Sequence, residues 1–167
     1  SPNYHLTEDL ADKAIDWMQQ QRATAPNRPF LCYFSTPAVH APHHVPREWI
    51  DKFAGHFDRG WDALREEIYE RQLKLGVIPH DTALTARPEQ IPAWSDYPER
   101  YRPIATRLME TFAGFLAHTD HHISRVITAL DDLGIADDTL VVYITGDNGA
   151  SAEGTVHGAW SAPSFQN

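Results

Sequence analysis

Two loops in the chain hold side chains that can do chemistry. The first is Asp147-Asn148-Gly149, which breaks out of the apolar, β-branched run Val141-Val142-Tyr143-Ile144. A carboxylate beside a carboxamide offers only oxygen donors, which suits calcium or magnesium rather than zinc. Asn-Gly is also a favoured two-residue hairpin turn. The residues that follow, Ala150-Ser151-Ala152-Glu153-Gly154, hold no returning strand. On spacing alone, turn and ligand loop stand even. The second loop, Ser35 to Pro46, carries His40, His43 and His44 among Pro37, Pro42 and Pro46. Each proline removes an amide donor and pushes the preceding residue extended, so no regular structure is expected there. Zinc can use His-x-x-His-His, but His43 and His44 are expected to be solvated or hydrogen-bonded. His40 is nearest the preceding apolar run and is the one expected in a site. There its imidazole would donate to an anionic ligand or a leaving-group oxygen.

Other polar groups have plainer readings. Asp120, His121 and His122 fall inside a long helical pattern and are expected on its surface or in its packing. Cys32 sits in an apolar run and is expected in the core rather than as a nucleophile. Glu153 and His157 follow the Asp147 loop, and structural roles are favoured for both.

The elements that must position the two loops follow from periodicity. Thr7 can cap a helix whose first turn holds Glu8 and Asp9, with Leu10, Ala14, Trp17 and Met18 on one face to about Arg22. Pro29-Phe30-Leu31-Cys32-Tyr33-Phe34 reads as a short buried strand. A short helix is expected around Arg47 to Phe53 and a longer one over Gly60 to Leu75. Gly76 to Tyr101, with Pro79, Pro88, Pro92 and Pro98, is too long for a plain connection. It is either functional or packed by its own aromatics, Trp94 and Tyr97. The strongest helix starts at Pro103, carries Leu108, Phe112, Phe115, Ile123, Val126 and Leu130 on one face, and stops at Gly134. Leu140 to Ile144 is the second expected buried strand. Buried strands separated by a helix imply a parallel sheet with helices on both faces, and ligands bind outside the carboxyl ends of such strands. Both loops leave such ends.

Composition narrows the partners. Hydrophobic residues are 42% of the chain, enough for a core, so disorder is excluded as the default. The formal net charge is -9 and no stretch concentrates Lys and Arg, so neither nucleic acid nor an anionic membrane is an expected partner. An anionic ligand would need a local cation. With one cysteine, no intrachain disulfide can form. No run approaches a membrane span and no secretory signal is visible.

With these residues in place, the chain resembles a sulfatase, of the bacterial arylsulfatase type within the alkaline phosphatase superfamily. The matching pieces are Tyr33-Phe34-Ser35 through His40-Ala41-Pro42-His43-His44-Val45-Pro46, Phe57-Asp58-Arg59-Gly60-Trp61 through Leu75-Gly76-Val77-Ile78-Pro79, Phe112-Ala113-Gly114-Phe115-Leu116 through Asp120, and Tyr143 through Gly154. They span about Leu6 to Gly154, and the tail from Thr155 matches poorly. Ser124 stands where relatives usually carry glycine.

The resemblance implies an alkaline-phosphatase-like α/β sandwich, a mostly parallel sheet with helices on both faces. Residues 1–167 would be part of a single catalytic domain, lacking its N-terminal nucleophile region and its C-terminal part. By the same resemblance Asp147 and Asn148 are two ligands of a single calcium ion (Ca2+), and His40 contacts a small-molecule sulfate ester near its leaving oxygen. The family's nucleophile is a formylglycine made from Cys or Ser in Cys-x-Pro-x-Arg. That motif is absent here, and Cys32 is followed by Tyr33-Phe34-Ser35-Thr36, so the nucleophile is expected outside this chain. The two-metal relatives commonly place histidine after the aspartate, since zinc accepts imidazole nitrogen, so Asn148 favours one hard cation. The alternatives are a phosphoric-ester or phosphonate hydrolase of the same superfamily, and a non-catalytic structural or binding module. The isolated chain is expected to turn over no sulfate ester. It should also bind calcium weakly, since two side chains leave most of the roughly six to eight positions to water.

Overall fold

The computed structural model describes residues 4–146. Four α-helices dominate them: α1 (Leu6–Thr24), α2 (Arg47–Asp51), α3 (Gly60–Leu75) and α4 (Arg102–Asp132). Short 3-10 turns, Glu99–Tyr101 and Ala136–Asp138, precede and follow α4. The sequence pattern places these helices well. The bounds of α3 are the expected ones, and α4 ends where Gly134 takes a left-handed φ of 63°. There the Ile135 N–H donates to the Leu130 carbonyl and the Gly134 N–H to the Asp131 carbonyl. These two bonds satisfy carbonyls that a helix end otherwise leaves open.

The start of α1 differs from expectation. His5, not Thr7, is the cap: its Nδ1 accepts the Thr7 backbone N–H at 3.2 Å. Thr7 is buried instead, and its hydroxyl meets that of Thr36 at 3.4 Å.

The larger correction concerns the sheet. Among the described residues there is no β-strand, so they form no α/β sandwich and no parallel sheet with helices on both faces. Residues 29–34 and 140–144 have no ladder partner among the described residues. A strand exists only by hydrogen bonding to a neighbour, and an apolar run alone does not supply one. Nor are these runs buried: Leu31 is 89% exposed and Leu140 88%. Cys32 is exposed rather than in the core.

What forms instead is a packed helical seam. His5 lies against His118, Asp12 pairs with Arg125, and Met18 clusters with Ala129 and Leu130. Contacts that advance together along both helices mean that α1 and α4 run parallel. Met18, Ala129 and Leu130 are the buried centre, with Ile15, Phe30, Val126 and Leu133 around them. On its other flank α4 receives α2. Gly114 permits this approach: a Cβ there would stand 2.9 Å from the backbone of Trp49 and Ile50.

Candidate functional site

The loop from Ser35 to Pro46 is held by the N-terminus of α1 at both of its ends. Near its start, Thr36 meets Thr7 and also accepts the Ala38 N–H at 3.2 Å. Near its finish, His5 Nε2 lies 2.7 Å from the His44 carbonyl. The donors fix the tautomer. His5 Nδ1 accepts from Thr7, so its proton is on Nε2 and is given to His44. Between these pins the His40 N–H closes a turn onto the Pro37 carbonyl at 2.9 Å. The His40 side chain is exposed, and its Nδ1 donates to the Ala41 carbonyl at 2.8 Å. His43 packs edge-on against Phe112, with ring centroids 5.6 Å apart.

His40 lines a cleft of about 420 Å³ together with Tyr4, Leu6, Pro37, Pro42 and Phe115. The walls are mostly apolar, and His5, His40 and His44 also line them. That is the composition and size of a small-molecule pocket.

Behind this loop the seam holds two histidines that the sequence reading did not use, His5 and His118. His118 is 2% exposed and His122 is 6% exposed. The guanidinium of Arg125, always a donor, lies 2.9 Å from His122 Nδ1. His122 must then carry its proton on Nε2 and give it to His118 Nε2, 3.2 Å away. This leaves the His118 proton on Nδ1, a buried atom with no hydrogen-bond partner among the described residues. Burial, reinforced by the neighbouring His5, pushes the His118 pKa down to about 4. Burial also lowers that of His122, with Arg125 adding to the shift. Both rings are therefore neutral at physiological pH. The i, i+4 spacing of His118 and His122 inside the apolar stripe was the available signal. Asp120 and His121, by contrast, are exposed as expected for a helix surface.

The excursion after α3 is packed by its own rings. Trp61 meets Trp94 and Tyr97 at centroid distances of 4.7 and 4.9 Å, and Tyr97 is 2% exposed. The Trp94 N–H donates to Asp62 at 2.7 Å, and Arg102 holds the Trp94 and Ser95 carbonyls. The Trp94 N–H, with Arg87 beside it, keeps the Asp62 carboxyl below the usual range despite the opposing effect of burial.

Asp147 and Asn148 lie outside the described residues, so the structure does not relate them to His40. Among the described residues no cluster of three or more His, Cys, Asp or Glu is arranged to hold a metal. No helix among them is long and apolar enough to cross a membrane.

A family model described as Sulfatase matches residues 1–166, which includes the tail that the motifs left unmatched. The chain is similar to an uncharacterized sulfatase of Schizosaccharomyces pombe, 30% identical over 156 residues. That match covers 92% of this chain and 27% of the relative. It is also similar to an arylsulfatase of Klebsiella aerogenes, 27% identical over 149 residues, covering 89% of this chain and 31% of the relative. The chain thus spans less than a third of the length of these curated relatives.

Proposed function

The chain belongs to the sulfatase family, and from that premise we propose that it is part of an enzyme that hydrolyses sulfate esters, with aryl esters as the substrate class. The observation that carries this reading is His40 on the wall of an apolar cleft whose other walls include Tyr4, Pro37, Pro42 and Phe115. An aromatic alcohol fits such walls, and the imidazole stands beside them to meet its oxygen. The similarity to an arylsulfatase points the same way.

His40 is the proton donor to the leaving oxygen in this reading. Its Nδ1–H is committed to the Ala41 carbonyl. That bond orients the ring, and Nε2 is the atom that would hold and deliver the proton in this reading. Asp147 and Asn148 would hold one calcium ion, and their donors, a carboxylate and a carboxamide oxygen, fit a hard cation. When bound, calcium supplies the positive charge that an anionic ester needs beside a chain of net charge -9.

The test is a kinetic assay of the intact protein with 4-nitrophenyl sulfate. His40→Ala is expected to lower kcat/KM by about 10²-fold or more, the scale of a lost general acid. Asp147→Ala, or removal of calcium by EGTA, is expected to abolish turnover, and added calcium to restore the chelated wild type. Turnover of a phosphate diester in preference to the sulfate, or two zinc ions per chain, would overturn the reading.

A further inference from the structure

We propose that His5 is a positioning residue for catalysis: it caps α1 with one ring nitrogen and, with the other, fixes the loop that presents His40. The inference rests on the proposed role of His40. It goes beyond that role by assigning a part to a side chain remote from it in sequence.

The two ring nitrogens have separate duties. Nδ1 accepts the Thr7 N–H at 3.2 Å and closes the first turn of α1. Nε2–H donates to the His44 carbonyl at 2.7 Å. His44 lies in the same loop as His40, just past Ala41, whose carbonyl orients the His40 ring. The His5 ring cannot easily swing away. His118 lies behind it at a centroid distance of 4.2 Å, and Phe115 meets it edge-on at 6.1 Å. His118 and Phe115 are both buried on α4. The loop is therefore referenced, through His5, to the α1–α4 seam. Thr7 and Thr36 make a second, longer tie at 3.4 Å near the start of the loop. Without His5 the far end, beyond His40, keeps the packing of His43 on Phe112 and Phe115 but loses the His44 hydrogen bond to the start of α1. An error of about 1 Å in a catalytic group is enough to cost roughly 10²-fold in rate.

Two amides divide the duties of the ring. An asparagine oxygen sits where Nδ1 sits and is a strong helix cap, but its side chain is too short to reach His44. A glutamine amide nitrogen sits where Nε2 sits and can donate to His44, but leaves the cap unmade. The readout is the dependence on leaving group. A proton donor matters most when the departing oxygen is basic, so loss of His40 placement should hurt phenyl sulfate more than 4-nitrophenyl sulfate.

The intact protein is assayed as wild type, His5→Asn, His5→Gln and His40→Ala, on both esters, with thermal melts alongside. His5→Asn keeps the cap but loses the His44 bond and the ring contacts with His118 and Phe115, so it is expected to melt a few degrees below wild type. It should lose about tenfold more kcat on phenyl sulfate than on 4-nitrophenyl sulfate, the same bias as His40→Ala in weaker form. His5→Gln is expected to melt lower and to keep a wild-type ratio between the two esters. If His40→Ala shows the bias and His5→Asn does not, His5 is not a positioning residue, while the role of His40 stands. The inference also fails if both His5 variants lose kcat equally on the two esters, because that is the mark of a merely structural residue. If His40→Ala itself shows no bias, the role of His40 falls and this inference falls with it.

Discussion

Two regions of the molecule are held together by rings, and the rings differ in kind. In the excursion after α3 they are Trp61, Trp94 and Tyr97, pinned by Asp62 and Arg102. In the seam of α1, α2 and α4 they are His5, His118, His121 and His122, with Trp49 and Phe115 between them. The first set carries no charge near neutral pH, and burial pushes the Tyr97 hydroxyl further from ionising. In the second set burial holds His118 and His122 in the neutral form, so acid works against it. Shape alone can break the first region, whereas a proton can break the second. The second is also the one that bears the His40 loop.

The largest expected effect tests the shape half of that contrast. Gly60 has a φ of 79°, and a Cβ there would stand 2.1 Å from Trp94 Cγ. Trp94 cannot yield easily, since its backbone is tied to Asp62 and Arg102 on both sides. Gly60→Ala combines backbone strain with an overlap that has nowhere to relax. It is expected to destabilise by about 3–5 kcal/mol, read as a shift of the urea midpoint. The loss should be the same at pH 7 and pH 5. A loss that grew at the lower pH would break the contrast.

Next in size is the proton. His118 faces His5 from the start of α1, Trp49 from α2, Lys52 just beyond it, and His121 and His122 from its own helix. Its pKa is about 4 in the folded chain and about 6.5 unfolded. The unfolded state therefore binds the extra proton first, and stability rises with pH between these values. The contribution is fully present above about pH 6.5 and lost as pH falls toward 4, in all about 3 kcal/mol. His122, also lowered, acts in the same sense. Asp62 and Glu110 have lowered carboxyl pKa values, so they lose their contributions only at still more acid pH. His118→Met keeps the volume and removes the titration. Unfolding curves between pH 7 and 4.5 are expected to be flatter for that variant than for wild type. Equal slopes would show that the seam does not sense protons through His118.

A smaller effect separates shape from charge within the second region. Gly114 lets α2 cross α4 at backbone contact, where an added Cβ would meet Ile50 and Trp49 at 2.9 Å. Those are backbone atoms, so the clash is relieved only if the whole of the short α2 moves off α4, which five residues can do with less loss than the pinned Trp94 ring. Gly114→Ala is therefore expected to cost about 1–3 kcal/mol, less than Gly60→Ala. The pH profile of stability should keep its wild-type slope, because His118 still titrates. Denaturant titrations at two pH values check both statements.

How far the sequence disclosed this arrangement depended on whether a feature was local. The α3 bounds and the Gly134 stop of α4 were legible because periodicity and a left-handed glycine are written in neighbouring residues. The sheet was not. Pro29–Phe34 and Leu140–Ile144 have the composition of buried strands, but pairing is a property of a partner. The His40 loop was legible from its prolines and histidines. What holds it was not, since His5 and His44 are far apart in sequence and meet only through the fold. His118 was overlooked although its place in the apolar stripe pointed inward, because its partners, His5 and Trp49, come from other elements and meet it only through the fold. The cap fell to His5 rather than Thr7 because the Thr7 hydroxyl faces Thr36.

The smallest expected effect lies at the end of α2, where two arginines approach one carboxylate. Arg47 lies 3.4 Å from Asp51 with its side chain 84% exposed, so water already solvates most of what it would gain. Arg107 approaches the same carboxylate at 3.2 Å and also holds Glu110 at 2.8 Å. Burial alone would raise the Glu110 carboxyl, but Arg107 and the Gly55 N–H outweigh it and hold it below the usual range. The second arginine therefore serves a carboxylate that is largely buried, while the first duplicates a contact that Arg107 makes anyway. Arg47→Ala is expected to change stability by less than about 0.5 kcal/mol, within the error of a denaturant midpoint. A clear loss on Arg47→Ala would mean that α2 is held by surface charge more than by the Gly114 crossing. The order of these predictions would then be wrong.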